Sequence, residues 1–303
     1  MPPVENVADL NRRYGIRGIA EVTEGPGYLP RVAITAPEAA GEMYLLGGQV
    51  TSWRPADQTE VLYLSTASRW EEGRAIRGGI PVCFPWFGNK SDNSKAPAHG
   101  MVRAASWRLE SIQQTRGAVV VSMFTESDGG TKQWWPADFR LTLRVTFGRE
   151  LTLDLEMVNA GPAPIQFEEA LHTYLRIGDI ERVRIRGLDT VHYLDKTDAF
   201  REKTQLGELI IEKETDSVFL NTRHEVEIED SVLRRRIHVA KENSLSTVAW
   251  NPWAEKAKGM SDIGDGEWKQ MVCIETANVG QFAVTLAPGA KHTMKALIKA
   301  AQI

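Results

Sequence analysis

Glu275 has the setting in this chain that most needs a chemical explanation. It lies in KQMVCIETANVG, a run of β type. Successive side chains of a strand point to opposite faces, so Met271, Cys273, Glu275 and Ala277 share one face while Val272, Ile274 and Thr276 share the other. A carboxylate on so apolar a surface loses hydration and is kept only if it is paired, hydrogen-bonded or used. His172, in EEALHTYLRIG, has a comparable place: it shares a face with Ala170 and Tyr174, away from Leu171, Thr173 and Leu175. A histidine and a carboxylate on sheet faces form an acid/base pair where the fold brings them together. The sequence alone leaves open whether it does, or whether each is a satisfied core group.

Two stretches combine glycine, proline and aromatic residues with cations. RAIRGGIPVCFPWFG over 74–88 carries Arg77, and AHGMVR over 98–103 carries His99 and Arg103. Such loops on a rigid scaffold commonly carry function, and guanidinium forks suit phosphate or carboxylate. Gly78-Gly79 allows the backbone to approach a ligand closely, although a single Gly-Gly pair more often marks a tight turn with surface arginines. Asp216, in KETDSVFLN, suits either a hydroxyl contact or a turn cap. Arg234, Arg235 and Arg236 read as a solvated face. Asp262, Asp265 and Glu267 lack the spacing of a calcium loop and read as a turn. No GxxxxGK[ST], GxGxxG or GxSxG motif occurs, which argues against nucleotide and serine-hydrolase chemistry. Cys83 and Cys273 are the only cysteines. They stand in no metal-binding spacing, so we expect two buried thiols and no zinc site or disulfide framework.

The elements that must position these groups are strands. After a short amphipathic helix over 6–14 the pattern turns to period two, with strands expected at 31–36, 43–53, 61–65, 107–113, 118–125, 139–147 and 151–158. FRLTLRVTF and LTLDLEMV alternate most cleanly, with Gly148-Arg149-Glu150 as a hairpin between them. Further strands are expected at 165–177, 183–185, 209–211, 225–228, 236–240, 247–250, 269–277, 282–286 and 292–298. Many short strands joined by Gly, Pro and Asp turns indicate an all-β protein, a large antiparallel β-sandwich with few short helices. The 303 residues, 42% hydrophobic and 25% charged, suit one large β domain or two of ordinary size, and a net charge of -4 gives no general attraction for nucleic acid or anionic lipid. The N-terminus has no signal-peptide core and no run is long enough to span a membrane, so the expected location is cytoplasmic and the expected partners are small molecules.

RGGIPVCFPWFG, HGMVR, LHTYLRIGDI, GLDTVHYLDK, TDSVF, VAWNPW and GMSDIGDGEWKQMVCIETANV, in that order, resemble the glucose-6-phosphate 1-epimerase (hexose-6-phosphate mutarotase) branch of the aldose 1-epimerase family. The resemblance implies a galactose mutarotase-like sandwich over 18–303 as a single domain, preceded by an extension over 1–17. It matches His172 to the family's general acid and Glu275 to its general base. Asp216 matches the carboxylate that binds sugar hydroxyls, and His99 a position near the sugar. Arg54, Arg77 and Arg103 are the candidates for phosphate and sugar contacts, Arg77 through the RGG motif. The activity implied is interconversion of the α and β anomers of a hexose 6-phosphate such as glucose 6-phosphate, by a monomer that needs no cofactor or metal.

In that chemistry a proton leaves the C1 hydroxyl, another reaches the ring oxygen, the ring opens to an aldehyde, and reclosure follows rotation about C1–C2. Glu275 starts ionised and His172 protonated, and the carboxylate is expected to raise the histidine pKa. Two other readings remain: a glycoside hydrolase using Asp216 and Glu275, and a non-catalytic sugar-phosphate-binding regulator that keeps the arginines without needing the His172 and Glu275 pair.

Overall fold

Alternation along Phe139–Phe147 and Glu150–Asn159 turns Phe139, Leu141, Leu143, Val145 and Phe147 to one side together with Leu151, Leu153, Leu155 and Met157, all of them buried. The two strands pair antiparallel, Leu143 across from Leu155, at the centre of an eight-stranded sheet. Its order is Val183–Arg186, Val226–Asp230, Arg235–Glu242, Lys291–Gln302, Glu150–Asn159, Phe139–Phe147, Ala118–Glu126 and Arg108–Thr115. The computed structural model describes residues 6–303.

A second eight-stranded sheet holds Arg201–Thr204, His192–Asp195, Thr215–Leu220, Ser246–Asn251, Met271–Asn278, Glu169–Leu171 and Val82–Cys83 in that order, with Tyr174–Arg176 also pairing to Met271–Asn278. The described strand pairs of both sheets are antiparallel, and Leu171, Leu175, Phe219, Ala249, Val272 and Ile274 of the second join Leu143, Leu155 and Ile298 of the first in one core. The protein is thus the antiparallel sandwich that the alternation indicates. Each fully buried aliphatic side chain contributes about 1.5–3 kcal/mol, so Leu143→Ala would cost about 2–5 kcal/mol, the lost burial plus the cavity. A four-stranded sheet (Ala20–Glu24, Pro30–Ala36, Ala39–Tyr44, Gln49–Pro55) packs against this body, Trp53 donating from Nε1 to the Gly148 carbonyl at 3.1 Å.

Several expected elements differ. The run at 43–53 is a hairpin, Ala39–Tyr44 and Gln49–Pro55, because Gly47 and Gly48 adopt positive φ between them. The run at 165–177 is three short strands, Ile165–Phe167, Glu169–Leu171 and Tyr174–Arg176, and His172 lies in the second break. Trp253–Lys258, between the two strands of the Glu275 region, is a short helix. The N-terminal helix spans Val7–Tyr14, capped by Asn6; Leu10 is buried and the Asn11 side chain accepts from the Val22 amide at 2.8 Å, so from residue 6 the expected extension packs on the four-stranded sheet. Arg235 is not solvated: Arg234 stands exposed in the preceding turn, and strand alternation turns Arg236 outward and Arg235 inward, where it is 1% exposed and donates to the Glu60 and Arg176 carbonyls. Cys83 and Cys273 are free and buried, as expected. Among the described residues no helix is long and apolar enough to cross a membrane.

Candidate active site

The outer face of the second sheet carries the residues singled out above. Asp216 pairs with Trp250, Trp250 with Cys273, and Cys273 with Tyr174, forming one row across four strands. In the next row Val218 pairs with Val248 and Val248 with Glu275. Leu171 pairs with Thr276 and Tyr174 with Cys273, so the same register sets His172 directly across from Glu275. The His172 amide donates to the Pro81 carbonyl at 3.0 Å, continuing the register that sets Ala170 across from Cys83 and Leu171 across from Val82, and the strand breaks where the Thr173 amide turns back to the Leu171 carbonyl at 2.9 Å.

His172 Nε2 lies 3.4 Å from Glu275 Oε1. The imidazole stacks on Tyr174, with centroids 4.7 Å apart and planes at 9°, and meets the edges or faces of His99 and Trp250 at 5.7 and 5.9 Å. Glu275 is 1% exposed and His172 6%. His172 Nδ1 and Glu275 Oε2 are buried with no partner among the described residues. Unsatisfied polar atoms in a close-packed interior are costly, and one on each of two side chains that face one another through their other polar atoms marks a place built for something other than stability.

Burial drives the Glu275 carboxyl well above the usual carboxylate range; Asp216 adds repulsion, while Lys196 and Arg103 oppose the rise. Burial drives His172 well below the usual imidazole value, reinforced by His99, Arg103 and Arg77. The expectation that the carboxylate raises the histidine pKa is therefore reversed: loss of hydration disfavours both charged forms and outweighs their attraction. The free pair carries one proton between its two members over a wide pH range. His99 is pushed down to about 3, again chiefly by burial and then by Arg103, Lys196 and Arg77. Its Nδ1 accepts from the Gly88 amide at 3.3 Å, and its ring meets Phe87 at 4.8 Å.

Tyr174 also lines a cavity of about 440 Å³, with Arg69, Arg74, Arg77, Arg103, Pro81 and the Gly259–Asp262 stretch. Four arginines and one carboxylate, Asp262, thus line it, and Arg74 is paired with Glu71 at 2.9 Å. Arg77 Nε and Nη2 both donate to Asp262 Oδ2, at 3.0 and 2.8 Å, and Nη1 donates to the Tyr174 hydroxyl at 2.7 Å. Arg69 reaches Ser261 Oγ at 2.9 Å, a neutral partner. Arg103 has no ion pair or side-chain hydrogen bond among the described residues. Asp262 and Glu267 do more than turn the chain: Glu267 accepts from Tyr63 Oη at 2.8 Å, Ser65 Oγ at 3.0 Å and Thr66 Oγ1 at 2.6 Å, fastening the cavity-lining loop to the 63–66 segment.

Gly78 and Gly79 have another role than the expected approach to a ligand. A Cβ on Gly78 would stand 2.4 Å from the Tyr63 carbonyl oxygen and one on Gly79 2.1 Å from that of Val50, so the pair threads Arg77 between two backbone segments. Positive φ at both adds a conformational reason for glycine. Arg54 stands exposed on the four-stranded sheet across from Ala40 and does not line the cavity. The structure thus gathers His172, Glu275, His99, Asp216, Arg77 and Arg103 and leaves Arg54 apart. Sequence patterns did not single out Arg69 or Lys196, whose ammonium lies 2.9 Å from Asp216 Oδ2. The GLDTVHYLDK motif held the only signal for Lys196. Among the described residues no group of three or more His, Cys, Asp or Glu side chains gathers that could hold a metal ion.

An antiparallel sandwich bearing a histidine and a carboxylate face to face on one sheet has the galactose mutarotase-like architecture. A putative mutarotase from Salmonella typhimurium superposes with a TM-score of 0.89 at 28% identity over 96% of both chains. A galactose mutarotase-like protein from Clostridium acetobutylicum shares the fold alone, with TM-score 0.73 and 13% identity over 94% of this chain and 98% of that one. The aldose 1-epimerase family profile matches residues 30–299, and the chain belongs to that family. It is 36% identical over 282 residues to a Cenchrus ciliaris protein named putative glucose-6-phosphate 1-epimerase, covering 89% of this chain and 84% of that one. An Escherichia coli protein of the same name is 34% identical over 250 residues, 82% and 83% of the two chains. Membership in the family makes the chain an epimerase of the aldose class.

Proposed function

We propose that this epimerase interconverts the α and β anomers of hexose 6-phosphates, with Glu275 as base and His172 as acid. The observation that carries the reading is the facing pair itself, 3.4 Å apart, each member with an unpartnered buried atom, joined through Tyr174 to a cavity lined by four arginines. The names of the curated relatives support the phosphorylated substrate.

Glu275 takes the C1 hydroxyl proton as His172 delivers one to the ring oxygen. The C1–O5 bond breaks, the aldehyde rotates about C1–C2, and the ring closes with the two groups in exchanged roles. The free pair holds one proton mostly in its uncharged form; a bound sugar that donates to Glu275 and accepts from His172 favours the charged form that starts the reaction. Asp216 accepts from sugar hydroxyls. Arg103, with Arg77 and Arg69, receives the phosphate, whose binding energy orients C1 between acid and base. The site acts on the bound sugar phosphate alone, within one chain, and no cofactor enters this scheme. Exchange NMR on glucose 6-phosphate tests the reading: accelerated exchange between the anomeric C1–H resonances supports it, and an unchanged rate refutes it.

A further inference from the structure

Lys196 enters the site from an element with no catalytic signature of its own. It opens the 3-10 turn Lys196–Asp198, directly after strand His192–Asp195. Buried Asp195 fastens that turn: it accepts from Thr197 N at 2.9 Å and Thr197 Oγ1 at 2.7 Å, and pairs with Lys203 at 2.8 Å. The Lys196 ammonium lies 2.9 Å from Asp216 Oδ2 and 5.2 Å from the centre of the Phe87 ring, which in turn packs on His99. The two side chains are 21% and 14% exposed, so solvent screens their fields less than at a surface pair.

We propose that Lys196 is a positioning residue of this site: it fixes the Asp216 carboxylate and cancels the negative field that Asp216 would otherwise impose on Glu275. The inference rests on the acid/base reading above. Glu275 meets His172 from the interrupted 169–176 segment, shares a sheet face with Asp216 of Thr215–Leu220 through the pairings with Trp250 and Cys273, and feels the charges of Asp216, of Lys196 from its turn and of Arg103 from the 3-10 turn Val102–Ala104. Cys273 on its own strand, Tyr174 and Cys83 are near enough to feel its charge, and the His99 ring packs on that of His172 at 5.7 Å. Of the charges that act most on Glu275, Asp216 is the negative one, and Lys196 and Arg103 are positive. With Lys196 present, the Asp216 position presents a local dipole to Glu275. Without it, a second carboxylate on the same sheet face stabilises the protonated carboxyl and removes the base from the cycle.

The test follows the Glu275 carboxyl by NMR in protein labelled with ¹³C-glutamate, titrated as parent, Lys196→Gln, Lys196→Arg, Asp216→Asn and the Lys196→Gln/Asp216→Asn double variant. Lys196→Gln should move the Glu275 midpoint to higher pH. The alkaline limb of the anomer-exchange profile should move with it, and the plateau rate should fall by about tenfold where the midpoint rises by about one on the pH scale. Asp216→Asn should move the midpoint down, the double variant should return it toward the parent value, and Lys196→Arg should hold it. An unmoved midpoint in Lys196→Gln overturns the proposal, and a lower rate at that unmoved midpoint would mean that Lys196 only packs the turn. Should Lys196→Gln fail to fold, an unmoved midpoint in Asp216→Asn overturns it equally. A parent protein that exchanges no anomers would sink the functional reading, while the carboxyl titration would still decide the role of Lys196.

Discussion

Replacing Arg103 by Gln separates recognition of the phosphate from the chemistry at C1. Arg103 lines the cavity with no ion pair or side-chain hydrogen bond among the described residues, so its charge is free to meet a phosphate. Arg77 is a poorer subject: its guanidinium already holds Asp262 and the Tyr174 hydroxyl, and its loss would disturb the wall on which His172 stacks. A charge-assisted hydrogen bond contributes about 1.5–3 kcal/mol, which is roughly ten- to a hundredfold in binding. Arg103 also stabilises ionised Glu275, so Arg103→Gln should slow both sugars to some degree. The ratio of kcat/KM for glucose 6-phosphate to that for glucose cancels the shared loss. Measured by anomer-exchange NMR on both sugars, that ratio should fall by roughly ten- to a hundredfold. An unchanged ratio would refute phosphate recognition by Arg103 and return the site to unphosphorylated aldoses.

The uncharged state of the free acid/base pair leads to three further expectations. The rate should hold a broad plateau across neutrality, bounded by the lowered His172 titration on the acid side and the raised Glu275 titration on the alkaline side; limbs at ordinary histidine and glutamate values would contradict the burial argument. Because the folded Glu275 pKa lies above its unfolded value, its contribution to stability is full below the ordinary carboxylate range and is lost as pH rises toward the raised value. Glu275→Gln should therefore melt at or above the parent temperature at pH near 8 in differential scanning calorimetry, and a clear drop would mean that Glu275 is a structural group. For His99 and His172 the folded pKa is depressed, so their stabilisation is present above the unfolded value of 6.5 and is lost as pH falls below it. Glu275, which gains stability as pH falls to its ordinary range, offsets one of the two histidines, so thermal midpoints should decline from about pH 6.5 downward with a net loss of about 1.4 kcal/mol for each step of about one in pH, and a flat profile to about pH 4.5 would contradict the buried neutral imidazoles.

The strands and the sheet faces were legible in the sequence because period-two alternation states directly which side chains share a surface. That is how Glu275 and His172 could be marked, and the structure sets them across from one another in register. What alternation does not state is where a strand breaks: His172 lies in an interruption of the 165–177 run where the Thr173 amide turns back to the Leu171 carbonyl, and its pairing across from Pro81 comes from a distant part of the chain that no local pattern announces. The arginines show the same limit. Arg54 and Arg77 look alike in sequence, yet a strand pairing leaves Arg54 on an exposed face while the Gly78-Gly79 crossing carries Arg77 into the cavity wall. The direction expected for the His172 pKa is the wrong one, since the sequence names its charged neighbour but not the burial that outweighs it. Asp262 and Glu267 look like a turn because their partners, Arg77 and Tyr63, come from the other end of the chain.

The chemistry proposed for Glu275 and His172 is acid/base ring opening of a sugar phosphate. Exchange NMR on glucose 6-phosphate with the parent protein and Glu275→Gln tests it most directly, with circular dichroism to verify the fold of the variant. Catalytic amounts of the parent should accelerate α/β exchange without releasing inorganic phosphate, and Glu275→Gln, still folded, should lose roughly 10²–10⁴ of that acceleration. A parent that leaves the exchange rate unchanged, or a folded Glu275→Gln protein as active as the parent, would contradict it.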